Sequence, residues 1–149
     1  MAQTTDQLSA VNMQVEHSTD GTTYTAFGGF ASSVERDGGD RKVGVTFTFD
    51  GDTALLTKGK REPVKLKVKV VYTEVATDPY EIVHGVYESG ADFWIRYSPN
   101  GGASGDNQFT AKGIVTTDPD PATLDAESED AIMFEFELTA SSISKATIV

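Results

Sequence analysis

Residues 64–70 read VKLKVKV: Val64, Leu66, Val68 and Val70 alternate with Lys65, Lys67 and Lys69. A period of two is the mark of a strand with one buried and one wet face. The next stretch, ATDPYEIVHGVYESG, carries the one convincing helix signal. Asp78 is placed to N-cap, Pro79 suits the first helical position, and Glu81 stands three residues after the cap, a capping-box spacing. Ile82, Val83, Val86 and Tyr87 form a short apolar stripe, and Gly90 is placed to end the helix. Alternation then returns, with Phe93, Ile95 and Tyr97 on one side and Trp94 and Arg96 on the other. Residues 64–100 therefore predict strand, short amphipathic helix and strand, and nearly everything around them reads as β.

The chain has 149 residues, enough for one domain with a real core. It has no cysteine, which rules out disulfide staples and thiolate chemistry and suits folding in a reducing cytosol. The opening MAQTTDQLSAV lacks the basic and apolar regions of a secretory signal. Net charge is −11, so on average the molecule repels nucleic acid. The charge is unevenly spread. Lys58, Lys60, Arg61, Lys65, Lys67 and Lys69 are half of the 12 basic residues, whereas residues 113–138 hold eight acids and no base. Either these are solvated faces, or opposite patches meet between copies.

Taken in order, residues 1–11 are polar and aperiodic, as expected of an arm. Segments 12–17 and 23–27 flank Asp20-Gly21, a hairpin signal, and Phe27-Gly28-Gly29-Phe30 predicts a bend. Residues 32–36 predict a short strand before the Asp37–Asp40 turn. Residues 42–49 predict a strand with Val43, Val45, Phe47 and Phe49 facing inward, turned by Asp50-Gly51-Asp52. Residues 50–63 form a projecting loop or hairpin that carries Leu55 and Leu56 among polar and basic neighbours. Such a pair either folds back on the core or makes an interaction tip. Residues 108–117 alternate again, and 118–128, DPDPATLDAES, read as an extended acidic loop. Ile132, Phe134, Phe136 and Leu138 form the inward face of the most hydrophobic strand, with Glu135 and Glu137 opposite. Residues 140–149 make a last strand or an arm.

Motifs for catalysis are missing from the chain. His17 and His84 stand far apart with no Cys nearby and read as core or surface residues rather than ligands. No nucleophile elbow, zinc-protease motif, P-loop or dinucleotide fingerprint occurs. Asp50-Gly51-Asp52 and Asp118-Pro119-Asp120 lack EF-hand spacing, and turn chemistry accounts for them. Trp94, Tyr97 and Tyr87 offer either core packing or a sugar-stacking platform. The chain is accordingly expected not to be an enzyme, with no catalytic, cofactor or metal residues.

Assembled in this order, the pieces resemble a siphophage major tail tube protein along nearly the whole chain. The similarity lies in VEHSTDGTTYTAFGG (15–29), the single helix DPYEIVHGVYESG (78–90), NQFTAKGIVTTDPDPATLD (107–125), IMFEFELT (132–139) and ISKATIV (143–149). The resemblance implies a mainly β fold: a β-sandwich or partial barrel of antiparallel strands with one short flanking helix at about 79–89. It implies one tail-tube domain over 1–149, with an N-terminal arm at about 1–11, a projecting loop at about 50–63 and a C-terminal arm at about 140–149. It further implies hexameric rings that stack into a tube around a tape measure protein. A tail terminator and a distal tail protein would bound the tube, and DNA would pass through without specific binding. The location implied is the virion tail, after synthesis in the host cytoplasm.

On this resemblance, Leu55, Leu56, Lys58, Lys60 and Arg61 are expected to make inter-ring contacts, and Glu135 and Glu137 to face the lumen. The terminal arms are expected to reach neighbouring copies. Two other readings are a terminator or adaptor that forms a single ring, and a secreted β-sandwich module that binds a glycan or Ca²⁺. The second of these predicts a monomer.

Overall fold

The alternating segments become strands because only an extended backbone puts every second side chain on one face. In the computed structural model, which describes residues 3–27 and 29–149, the strands are β1 (Gln14–Ser18), β2 (Thr25–Ala26), β3 (Ala31–Gly38), β4 (Arg41–Thr46), β5 (Leu55–Arg61), β6 (Val64–Val71), β7 (Phe93–Ser98), β8 (Asn107–Val115) and β9 (Met133–Thr147). One helix, α1 (Pro79–Ser89), links β6 to β7. Seven strands form a curled antiparallel half-barrel in the order β2-β1-β7-β8-β9-β6-β3, and β4 and β5 pair as a separate two-stranded ribbon. The mainly β class with one flanking helix is therefore the observed one. Residues 1 and 2 of the expected N-terminal arm, and Gly28 of the expected bend, lie outside the described residues.

The core is the inner face of this sheet. Leu66, Val68 and Val70 of β6 lie beside Phe134, Phe136 and Leu138 of β9, and all six are buried. Phe93 and Ile95 of β7, Ala111 of β8 and Val15 of β1 continue the apolar surface. Burying each large side chain contributes about 1.5–3 kcal/mol. The helix closes the open side by pressing Val83 and Val86 onto the sheet, with Tyr80 edge-on to Phe134 at 5.3 Å. Gly90 ends it in the left-handed region (φ 68°), and its N–H donates to the Val86 carbonyl.

Several local expectations are corrected. Asp78 occupies the N-cap position but makes no capping bond; its carboxylate accepts the Thr73 hydroxyl at 2.5 Å. A nearby side-chain donor has displaced the backbone N–H the spacing predicted. Ile132 lies just before β9 and is exposed, so the inward face starts at Phe134. Residues 140–147 continue β9, with Ser144 opposite Thr110 and Thr147 opposite Asn107 on β8.

The largest correction concerns β4. Val43, Val45, Phe47 and Phe49 face no core: all four are exposed, Phe47 at 71%. The alternation is real, but its apolar side has left the half-barrel. The departure starts at Gly38 and Gly39, both with positive φ (77° and 81°). A Cβ at Gly38 would stand 2.3 Å from the Pro63 carbonyl oxygen, so only glycine fits this turn. Gly39 N–H to Pro63 O (3.1 Å) and Glu62 N–H to Asp40 O (2.8 Å) carry the pairing across the junction. The ribbon β4–β5 is thus an outward continuation of β3 and β6.

Candidate functional site: a projecting hairpin and an acidic loop

The projection is longer than the 50–63 loop expected from sequence: its two strands begin at Arg41 and end at Arg61. Val45 stands opposite Leu56, and Val43 opposite Lys58. Paired residues share a face, so Val43, Val45, Leu56 and Lys58 make one surface of the ribbon. Leu55 stands opposite Thr46, on the other surface. The two leucines therefore do not act as a side-by-side pair. With Phe47 and Phe49, six large apolar side chains are exposed between residues 43 and 56. A lone two-stranded ribbon is marginal in water, and an apolar patch of this kind marks a surface that meets another molecule.

The ribbon is also cationic. Arg41 donates to the Gly59 carbonyl at 3.0 Å, and Lys42 reaches Glu62 at 3.6 Å. Lys58, Lys60 and Arg61 make no ion pair among the described residues. The structure thus gathers Leu55, Leu56, Lys58, Lys60 and Arg61 on one projection. Sequence reasoning missed its other half, Val43, Val45, Phe47 and Phe49. The available clue was the Gly38-Gly39 turn and the Arg41-Lys42 pair just before that alternating segment.

The acidic loop starts where β8 ends. Its first turn is fixed: Pro119 is buried, and the Tyr80 hydroxyl donates to Asp120 at 2.5 Å. That hydrogen bond, with burial second, pushes the Tyr80 phenol well above its ordinary value. His84 Nδ1 lies 3.4 Å from the same carboxylate. Farther on, Asp125, Glu127, Glu129 and Asp130 make no ion pair among the described residues. Between this loop and strands β6 and β9 lies an open trough of about 570 Å³.

Glu135 and Glu137 stand on the outer face of the sheet, as the alternation required. They are not an isolated acidic pair. Lys69 is directly opposite Glu135 and Lys67 opposite Glu137, with ion pairs from Lys67 to Glu135 (3.9 Å) and from Lys65 to Glu137 (3.8 Å). Arg96 and Glu16 pair on the same face of β7 and β1, with the Arg96 guanidinium over the Tyr24 ring at 3.8 Å. The Arg96–Glu16 pair is partly buried, whereas the Lys–Glu pairs lie nearer solvent and contribute about 0–1 kcal/mol each, so their main effect is a nearly neutral surface.

The remaining sequence candidates disperse. Trp94 lies on the outer face, against Gly21 and under Lys112, while Tyr97 lies on the opposite face and stacks on Phe109 at 5.3 Å. They form no common platform. His17 is buried between Phe27 and Phe93, and His84 sits on α1. No group of three metal-ligating side chains occurs among the described residues.

This architecture is that of phage tail tube-like proteins, as comparison with solved structures shows. A chain of the anti-feeding prophage baseplate superposes with a TM-score of 0.72 at 13% identity, covering 98% of this chain and 99% of that one. A chain from the tail of an empty GTA particle, solved with C6 symmetry, gives 0.65 at 9% identity over 99% of this chain and all of that one. A chain of the PVC sheath–tube complex of an extracellular contractile injection system gives 0.65 at 13% identity, over 97% of this chain and 94% of that one. Identities this low establish the fold and nothing finer. No protein-family model and no curated protein sequence matches the chain.

Proposed function

We propose that this protein is a structural tail protein that closes into hexameric rings and stacks them into a tube, a conduit for DNA ejection. The observation that carries this reading is the exposed apolar and cationic ribbon on a half-barrel with the tail-tube fold. A ribbon without a core of its own is accounted for by burial in a neighbouring ring. Leu55 and Leu56 supply apolar contact there on its two surfaces, and Lys58, Lys60 and Arg61 supply charge. Ring closure uses the sheet edges. β3 is an eight-residue strand at the end of the seven-stranded order, with one side unpaired, and an edge of that length invites pairing with another copy.

The outer face bearing Glu135 and Glu137 is the proposed lumen wall. Interleaved with Lys65, Lys67 and Lys69, it offers DNA neither a strong field of repulsion nor an unpaired cation track. A tape measure protein inside the tube, and a terminator and distal tail protein at its ends, complete the assembly. Its place is the virion tail, built from chains made in the host cytoplasm. No catalytic step is assigned to it.

A second reading, a terminator or baseplate ring that does not elongate, is favoured by the similarity to chains of the prophage baseplate and of its tube-terminating cap (TM-score 0.63). Light scattering on the purified protein over a range of concentration separates the two. A tube protein grows past the mass of six 16.0 kDa chains as concentration rises. A plateau at six chains selects the ring reading. A monomer throughout, even with tail-initiating proteins present, overturns both.

A further inference from the structure

We infer that the acidic loop 118–130 and the loop-side rim of the trough beneath it are the seat for the projecting ribbon of a second copy of this chain, an inference that rests on the tube reading above; the strand side of the trough, with Glu135 and Glu137, stays with the lumen wall. The two features lie at opposite ends of β6. Val64, its first residue, follows the ribbon; Val71, its last, pairs with Met133, just beyond the acidic loop. The eight residues of β6 hold them roughly 25 Å apart, at about 3.3 Å per residue. One end of the molecule thus offers an apolar, cationic projection, and the other an anionic hollow. Contacts between unlike ends repeat from copy to copy rather than closing as a symmetric pair.

The hollow matches the ribbon in kind. On the loop side the trough is lined by four carboxylates, Asp118, Asp120, Asp125 and Asp130, and on the strand side by Glu135 and Glu137 with Lys67 and Lys69. Both lysines stand directly opposite Glu137 and Glu135, so the excess of negative charge is left to the loop. The lining is also partly apolar, through Ala122, Ala131, Ile132 and Met133. The ribbon brings Val43, Val45 and Leu56 on the face that carries Lys58. Apolar burial supplies affinity in such a contact, while opposite charges steer the approach and fix the register. The loop can serve as a seat because its base is held by buried Pro119 and by the Tyr80–Asp120 hydrogen bond.

Charge exchange tests the seat. Lys58→Glu with Lys60→Glu reverses the ribbon, and Asp125→Lys with Glu127→Lys reverses the loop. All four positions are exposed, so each protein should melt near the wild-type temperature, and a melt confirms that it is folded. Each reversed pair alone should raise the critical concentration for assembly at least about tenfold. All four substitutions in one chain should bring it back toward wild type. Wild-type tubes with no recovery in the four-substitution protein, or with single-sided reversals that assemble normally, overturn the seat and leave the tube reading standing. Wild-type protein that never grows beyond one ring overturns the tube reading itself.

Discussion

His17, which the sequence leaves open between core and surface, is a core residue, and its burial has a consequence for stability. It lies on the inward face of β1, only 6% exposed, with its ring 4.3 Å from that of Phe27 and, among the described residues, no hydrogen-bond partner for Nδ1. Burial disfavours the charged imidazolium and lowers its pKa below the ordinary 6.5. The unfolded chain then binds a proton that the folded chain refuses. Stability is full above about pH 6.5 and falls as pH drops toward the lowered value, by at most about 1.4 kcal/mol per pH unit from this group. Thermal melts of wild type and His17→Phe between pH 7 and pH 5 should diverge, with the variant losing less. Parallel losses would remove His17 as the cause. Asp20 shifts in the same direction for a different reason: the N–H groups of Thr23 and Thr22, then the Ser18 hydroxyl, stabilise its carboxylate and hold its pKa far below the ordinary value. The turn it organises is present at neutral pH and weakens only in strong acid.

At the scale of elements, strands with a core beneath them were readable. The alternation over 64–70 became β6, and the Pro79 and Gly90 signals bounded α1 at the residues expected. The same rule misplaced β4, for a physical reason. Alternation reports that a strand has an apolar face, not which body covers it. Nothing in Val43, Val45, Phe47 and Phe49 distinguishes burial by the same chain from burial by a neighbour. The deciding feature was the glycine junction at 38–39, which redirects the ribbon. The C-terminal half of β9 was obscure for the converse reason: Ser142, Ser144 and Lys145 give no apolar pattern, and the strand exists through its ladder to β8. The exposed ribbon supports a sharp contrast. Phe47→Ser with Phe49→Ser should leave the melting temperature of the unassembled chain unchanged and abolish growth beyond a single ring. Phe134→Ala, in the core, should cost about 3–5 kcal/mol of stability. Calorimetry beside light scattering reads both. A large loss of stability in the double serine variant would show that the ribbon packs on its own chain.

For the whole molecule, the acidic composition misleads if spread evenly. The sheet's outer face is nearly balanced, with Lys65, Lys67 and Lys69 set against Glu135 and Glu137, while the surplus of acids gathers on loop 118–130 at one end. Lys58, Lys60 and Arg61, which make no ion pair among the described residues, gather on the ribbon at the other end. A polarised subunit with a neutral wall suits a tube whose units join end to end around a passage. Cryo-electron microscopy of the assembled protein examines this most directly. The expected map is a continuous six-fold tube, with the 41–61 ribbon crossing each boundary between rings and Glu135 and Glu137 facing the channel. A map with isolated rings, or with the ribbon folded back on its own subunit and the Glu135–Glu137 face turned outward, would contradict it.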